Sequence, residues 1–133
     1  MSEQELRELD IKVHRALYPE QRVVIQDGPH GPYYRAVTPG DGPNTWVTDI
    51  PLPWYSTDIQ DWEPVYAARP KWWWDQYEAS IIDGERYVEV QLRAYDTPLS
   101  DATVRVYWHE STGLRAYALG RARCVVAWAE AQR

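Results

Sequence analysis

The sequence predicts a single α/β domain spanning residues 1–133: an α/β/α-type sandwich with a mostly antiparallel sheet flanked by helices, in the order α-ββ(β)-α-βββ-α. Three observations carry this prediction. Apolar residues recur at helical spacing near both ends of the chain, and they alternate strictly along Ala102 to His109 as a half-buried strand requires. Between them, Asp83-Gly84, a favoured pair for a two-residue turn, separates two strand-like runs. A chain of 133 residues is long enough to bury a core without a metal or disulfide.

The first helix is expected from Ser2 to Leu17. Ser2 and Glu5 have capping-box spacing, and Leu6, Leu9, Val13, Ala16 and Leu17 form one apolar stripe that Pro19 brings to a stop. His14 sits beside the stripe and is read as solvent-facing. Gln21 to Gln26 is a strand on the strength of Val23, Val24 and Ile25; Asp27 to Pro32 is turn chemistry; Tyr33 to Val37 returns antiparallel. After the loop Thr38 to Asn44, Thr45 to Thr48 is a short third strand and Ile50 to Pro53 an extended connection. Gly28, Gly31, Gly40 and Gly42 are turn residues, because interleaved prolines and the lack of a following Lys-Ser/Thr helix exclude a phosphate-binding loop.

The run Trp54 to Trp62 closes this polar segment and opens a second helix. Thr57 and Gln60 have capping-box spacing, Asp58 and Asp61 suit the positive end of the helix dipole, and Ile59 and Trp62 share the face to be buried. Pro64 is expected to bend or end this helix, with Val65 to Ala68 resuming it before Pro70. With Asp83-Gly84 as the loop, Ala79 opposes Val88, Tyr77 opposes Val90 and Trp73 opposes Ala94, so Ala79, Ile81, Val88 and Val90 are expected buried and Glu78 and Glu89 exposed. The other face then holds Trp72 opposite Tyr95 and Trp74 opposite Arg93. Asp96-Thr97-Pro98 is a loop, and the strand Ala102 to His109 joins the same sheet. Leu114 to Tyr117 is either a short strand or the first turn of the last helix. From Ala118 onward Ala118, Ala122, Val125, Val126 and Ala129 keep helical spacing, with small residues that allow close approach to a sheet.

The segment Tyr55-Ser56-Thr57-Asp58-Ile59, followed three residues later by Trp62, resembles the central motif of the phage ABA sandwich domain, a family of small phage and prophage proteins. Ala118-Leu119-Gly120-Arg121-Ala122 is similar to the alanine-rich start of that family's last helix. The resemblance implies a sheet flanked by helices and an uninterrupted second helix, from which Pro64 departs.

The net charge of −6 argues against a duplex nucleic-acid partner. Its distribution is uneven: residues 1–101 carry 9 Lys and Arg against 18 Asp and Glu, whereas residues 102–133 carry Arg105, Arg115, Arg121, Arg123 and Arg133 against Glu110 and Glu130. Eight Trp and ten Tyr with no Phe give large side chains that mostly bear a polar handle. The lone Cys124, the absence of a long apolar run and the polar start fit a cytoplasmic protein, in the host cytoplasm if phage-encoded, without membrane attachment. Arg121 and Arg123 near Cys124 could lower its pKa, although a packed, inert thiol is the commoner reading. His14, His30 and His109 show no metal-ligand spacing, and no nucleophile, base and orienter assemble around His109-Glu110, so no catalytic residue, metal or cofactor is expected.

Arg115, Arg121 and Arg123 occupy the end of the last helix where cations oppose the dipole, which calls for an offsetting anion. That anion is either a carboxylate of the chain itself or a phosphate-bearing ligand. In the second case Trp72, Trp74, Arg93, Arg115, Arg121 and Arg123 are the candidate binding residues, with rings stacking on a base. The expected function is non-enzymatic sequestration of an anionic, nucleotide-like small molecule as a phage countermeasure to host defence. The alternative is a protein-binding inhibitor or adaptor, with a host protein as partner and exposed Trp and Tyr as anchors.

Overall fold

The computed structural model describes residues 1–43, 45–80, 84–95 and 101–132. Helix α1 (Glu3–Leu17) leads into strands β1 (Arg22–Gly28), β2 (Gly31–Pro39) and β3 (Trp46–Pro51); a 3-10 turn (Ile59–Trp62) and helix α2 (Glu63–Ala68) follow; then come β4 (Trp72–Ser80), β5 (Arg86–Ala94), β6 (Asp101–Tyr107) and helix α3 (Gly113–Ala131). This is the α/β class and element order expected. The strands, however, form two antiparallel three-stranded sheets, β1-β2-β3 and β4-β5-β6.

Local chemistry sets several boundaries. Ser2 caps α1 through the expected reciprocal box with Glu5. The box expected between Thr57 and Gln60 does not form. Asp58 is the cap instead, accepting from the Gln60 N–H at 2.9 Å, and Asp61 accepts from the Trp54 N–H at 2.7 Å. The stretch is interrupted just before Pro64, as expected, into the 3-10 turn and α2, and Pro64 lies in the first turn of α2, where its missing N–H has no intrahelical partner to lose. Helix α3 begins at Gly113, so Leu114 to Tyr117 is its first turn.

The β4–β5 register departs from the expected one by a single residue. Pairs run from Trp72↔Ala94 to Ser80↔Arg86, with Trp74 opposite Leu92, Gln76 opposite Val90 and Glu78 opposite Val88. Paired numbers are both even or both odd, so an odd number of residues links the strands, and Gly84 takes a left-handed φ of +88°. Asp83 and Ile81 lie outside the described residues, as do the Asp96-Thr97-Pro98 loop, Asn44 and Arg133. A one-residue slip turns every β4 side chain to the opposite face. Trp72 is buried and Trp74 half-buried beside Val88, Val90, Leu92 and Ala94, whereas Trp73 and Tyr77 are exposed and Ala79 only half-buried. Fully burying an apolar side chain is worth about 1.5–3 kcal/mol, and Trp72 together with part of Trp74 outweighs a local turn preference.

Helix α3 packs on β5 and β6 and against α1. Its approach is close at Gly120, where an added Cβ would fall 2.5 Å from Val90 Cγ2. The sheet face away from α3 carries Trp73, Tyr77, Thr103 and Arg105 open to solvent, so among the described residues the helix layer lies on one face of this sheet.

The central loop is pinned to α1 by a buried polar network absent from the sequence reading. Arg7 meets Asp10 at 2.8 Å and donates to the Leu52 and Pro53 carbonyls, and Asp10 accepts from the Ser56 N–H at 2.8 Å. His14 is not solvent-facing. It is 1% exposed, with Nδ1 2.8 Å from the Tyr55 hydroxyl and Nε2 2.7 Å from Gln21 Oε1. The Trp62 indole N–H donates to the Tyr55 carbonyl at 2.9 Å, so the Tyr55 to Trp62 run is closed on itself as well as on α1.

Candidate functional site

A row of rings runs outward from this anchored loop. Tyr55 and Trp62 meet edge to face at 5.3 Å, Trp62 and Trp74 at 5.4 Å, Trp74 and Trp72 at 6.2 Å, and Trp72 and Trp128 at 4.9 Å. Edge-to-face geometry matches the negative face of one ring to the positive rim of the next. Two arginines bracket the row. Arg69 lies over Trp72 at 4.7 Å and donates to the Leu17 carbonyl. Arg121 lies 5.0 Å from the Tyr66 ring centroid and 5.6 Å from that of Trp74.

The backbone explains why Arg121 arrives there. Gln76 pairs with Val90, and Gly120 rests on Val90. The next residue of α3 therefore reaches over the outer strand, and Arg121 Nε donates to Gln76 Oε1 at 2.9 Å. Arg121 is only 6% exposed and has no carboxylate partner among the described residues. Burial pulls its pKa below the ordinary guanidinium range, with Tyr66 acting weakly in the other direction. Its two terminal nitrogens make no hydrogen bond within the described residues, and the enclosed Trp74 Nε1 has none either. Buried charges are as a rule paired, since an isolated one loses several kcal/mol of hydration. The arrangement is a largely buried cation whose planar, unfilled terminal donors still reach solvent beside an aromatic face, which suits a phosphate or carboxylate.

The other expected binding residues do not converge here. Arg93 lies across the sheet from Trp74, pairing in register with Trp73 and 3.2 Å from Asp75, and Tyr95 is 67% exposed. Trp72 is core, held between Trp128 and Trp74, and is not an open surface. Arg123 is 2.9 Å from Glu110, which holds the Glu110 carboxyl below its usual range. Arg115 is exposed beside a cavity of about 320 Å³ that Ser56, Thr57 and Thr112 also line, and it has no ion pair among the described residues. Of the three helix arginines, then, one is in an ion pair and two have no carboxylate partner among the described residues.

Tyr66 and Gln76 are part of the site and were not expected. Gln76 was detectable in principle, since strand alternation puts it on the face of Trp72 and Trp74; Tyr66 depends on α2 folding back. Cys124 takes no part. It is fully buried, its thiol donates to the Val90 carbonyl at 3.1 Å, and burial pushes its pKa up to about 12, opposite to the lowering its arginine neighbours suggested. Those arginines leave it in an apolar layer. His109 faces Glu85 at 3.3 Å on the surface.

No family model, curated protein or solved structure matches this chain. Among the described residues, no helix is long and apolar enough to cross a membrane.

Proposed function

We propose that this protein is a non-enzymatic binding module that sequesters an anionic, nucleotide-like small molecule, with Arg121 as the anion anchor and Trp74 and Tyr66 as the flanking rings. The observation that carries this reading is the buried Arg121 guanidinium without a carboxylate. A phosphate supplies the missing charge and accepts from both terminal nitrogens, while a base or ribose lies against the half-buried Trp74. In the phage setting implied by the Tyr55 to Trp62 resemblance, such capture acts as a countermeasure against a host nucleotide signal.

The test is a thermal-shift screen of the full chain against mono-, di- and cyclic nucleotides. A ligand at 100 times its dissociation constant adds ~2.7 kcal/mol of stability. Arg121→Met should abolish the shift while keeping the fold, because Met retains the contacts with both rings and leaves no charge to solvate. Arg115→Ala should leave the shift in place. The nucleotide should be recovered chemically unchanged. A shift that survives in Arg121→Met refutes the site, and turnover of the nucleotide refutes the non-enzymatic role.

A further inference from the structure

A groove of about 600 Å³ lies on a different part of the molecule, between the start of α1, the tip of the β1–β2 hairpin and the Pro51 to Trp54 segment. Its walls are aromatic and unusually open: Tyr33 is 49% exposed, Trp54 42% and Ile25 56%. Contiguous exposed apolar surface of this kind marks interaction sites.

The walls are also preformed. Arg7 is fixed by Asp10 and by the Leu52 and Pro53 carbonyls, and its guanidinium lies 3.7 Å from the Trp54 ring centroid and 5.0 Å from that of Tyr34. Trp54 is held in addition through its backbone N–H to Asp61.

Charge selects the occupant. Glu3, Asp27 and His30 line the groove, and neither carboxylate has an ion-pair partner among the described residues, whereas the positive charge of Arg7 is already met by Asp10 at 2.8 Å. The groove therefore has aromatic walls and an uncompensated negative rim. Anions are repelled from it, which separates it from the Arg121 site. A cationic side chain gains the carboxylates and the exposed Tyr33 ring. A stiff proline-containing backbone lies along the held Trp54 ring with little ordering cost.

We infer that this groove docks an extended, proline-containing segment of a partner protein that carries a basic side chain, read by Tyr33 and Trp54 as the walls and by Glu3 and Asp27 as the charge.

The experiment is a calorimetric titration of the full chain with a synthetic proline-rich peptide bearing arginines, beside the same peptide with glutamates in their place. The arginine peptide should bind saturably and the glutamate peptide should not. Tyr33→Ala and Asp27→Lys alter exposed side chains, so melting curves should be unchanged while affinity falls about tenfold or more in each. Arg121→Met should leave peptide binding as it was, which separates this groove from the anion site. The inference is overturned by no binding, by equal binding of the two peptides, or by arginine-peptide binding indifferent to Tyr33→Ala and Asp27→Lys. Concentration-dependent dimerisation abolished by Tyr33→Ala would assign the groove to a second copy of this chain and overturn it as well.

Discussion

Gly120→Ala tests the packing that delivers Arg121 to its place. In an exposed helix the change would stabilise by about 1 kcal/mol, because glycine carries the larger entropy loss. Here the new Cβ would sit 2.5 Å from Val90 Cγ2 and 3.1 Å from Val90 Cβ, with Val106 Cγ2 at 3.6 Å. Val90 is fully buried and β-branched, so its side chain is stiff and α3 is expected to lift from the sheet. Overpacking of this kind costs about 1–3 kcal/mol, and two contacts with a stiff partner put the cost at the upper end. The net expectation is a loss of about 1–2 kcal/mol, or roughly 4–8 °C in Tm for a domain of this size, read by calorimetry and urea denaturation. A second arm removes the obstacle. In a Val90→Ala background, itself destabilised by about 2 kcal/mol, Gly120→Ala should be neutral or stabilising. Because Arg121 follows Gly120, lifting the helix should also weaken any nucleotide-induced shift. A rise in Tm for Gly120→Ala alone, or strict additivity of the two changes, would refute the reasoning.

Two further outcomes follow from buried groups. Burial holds the His14 pKa below its ordinary value of 6.5, so the unfolded chain takes up a proton that the folded state resists. The stability attached to His14 is therefore complete above about pH 6.5 and is lost as pH falls below it, at no more than about 1.4 kcal/mol per pH unit. Wild-type Tm should fall more steeply between pH 7 and pH 5 than that of His14→Gln, a window that spans the unfolded value, and parallel curves would show that His14 is not the group responsible. Cys124, with its thiol pushed up to about 12, should not react with a thiol-specific disulfide reagent in the folded protein and should react fully once denatured. Rapid labelling of the native protein would mean that α3 opens readily from the sheet.

What the sequence determined by itself is what depends on neighbours along the chain. The Ser2-Glu5 box, the antiparallel β1–β2 pairing, the alternation of Ala102, Val104 and Val106, and the Ala118, Ala122 and Val125 face of the last helix are all local in origin and appear as their patterns placed them, except that Asp27, Gly28, Gly31 and Pro32, expected as turn, extend the two paired strands. The Trp54 to Trp62 run was legible as the organising stretch, although its cap moved from Thr57 to Asp58. What only the tertiary structure decided is what depends on which surfaces meet. Asp83-Gly84 suggested one register for β4, but the burial of Trp72 and Trp74 under α3 coincides with another, and that single-residue difference separated Arg93 from the two tryptophans. The same packing buried His14, Arg7 and Asp10, polar residues whose partners Tyr55, Leu52 and Ser56 lie some forty positions or more away, beyond the reach of any local pattern. It also sorted three arginines of similar appearance. Arg123 found Glu110 and Arg115 stayed at the surface, while Arg121 was drawn under Tyr66 and Trp74 because Gly120 lets α3 lie directly on Val90. Charge is written in the sequence, but whether a charge is solvated, paired or buried alone is fixed only when the layers close.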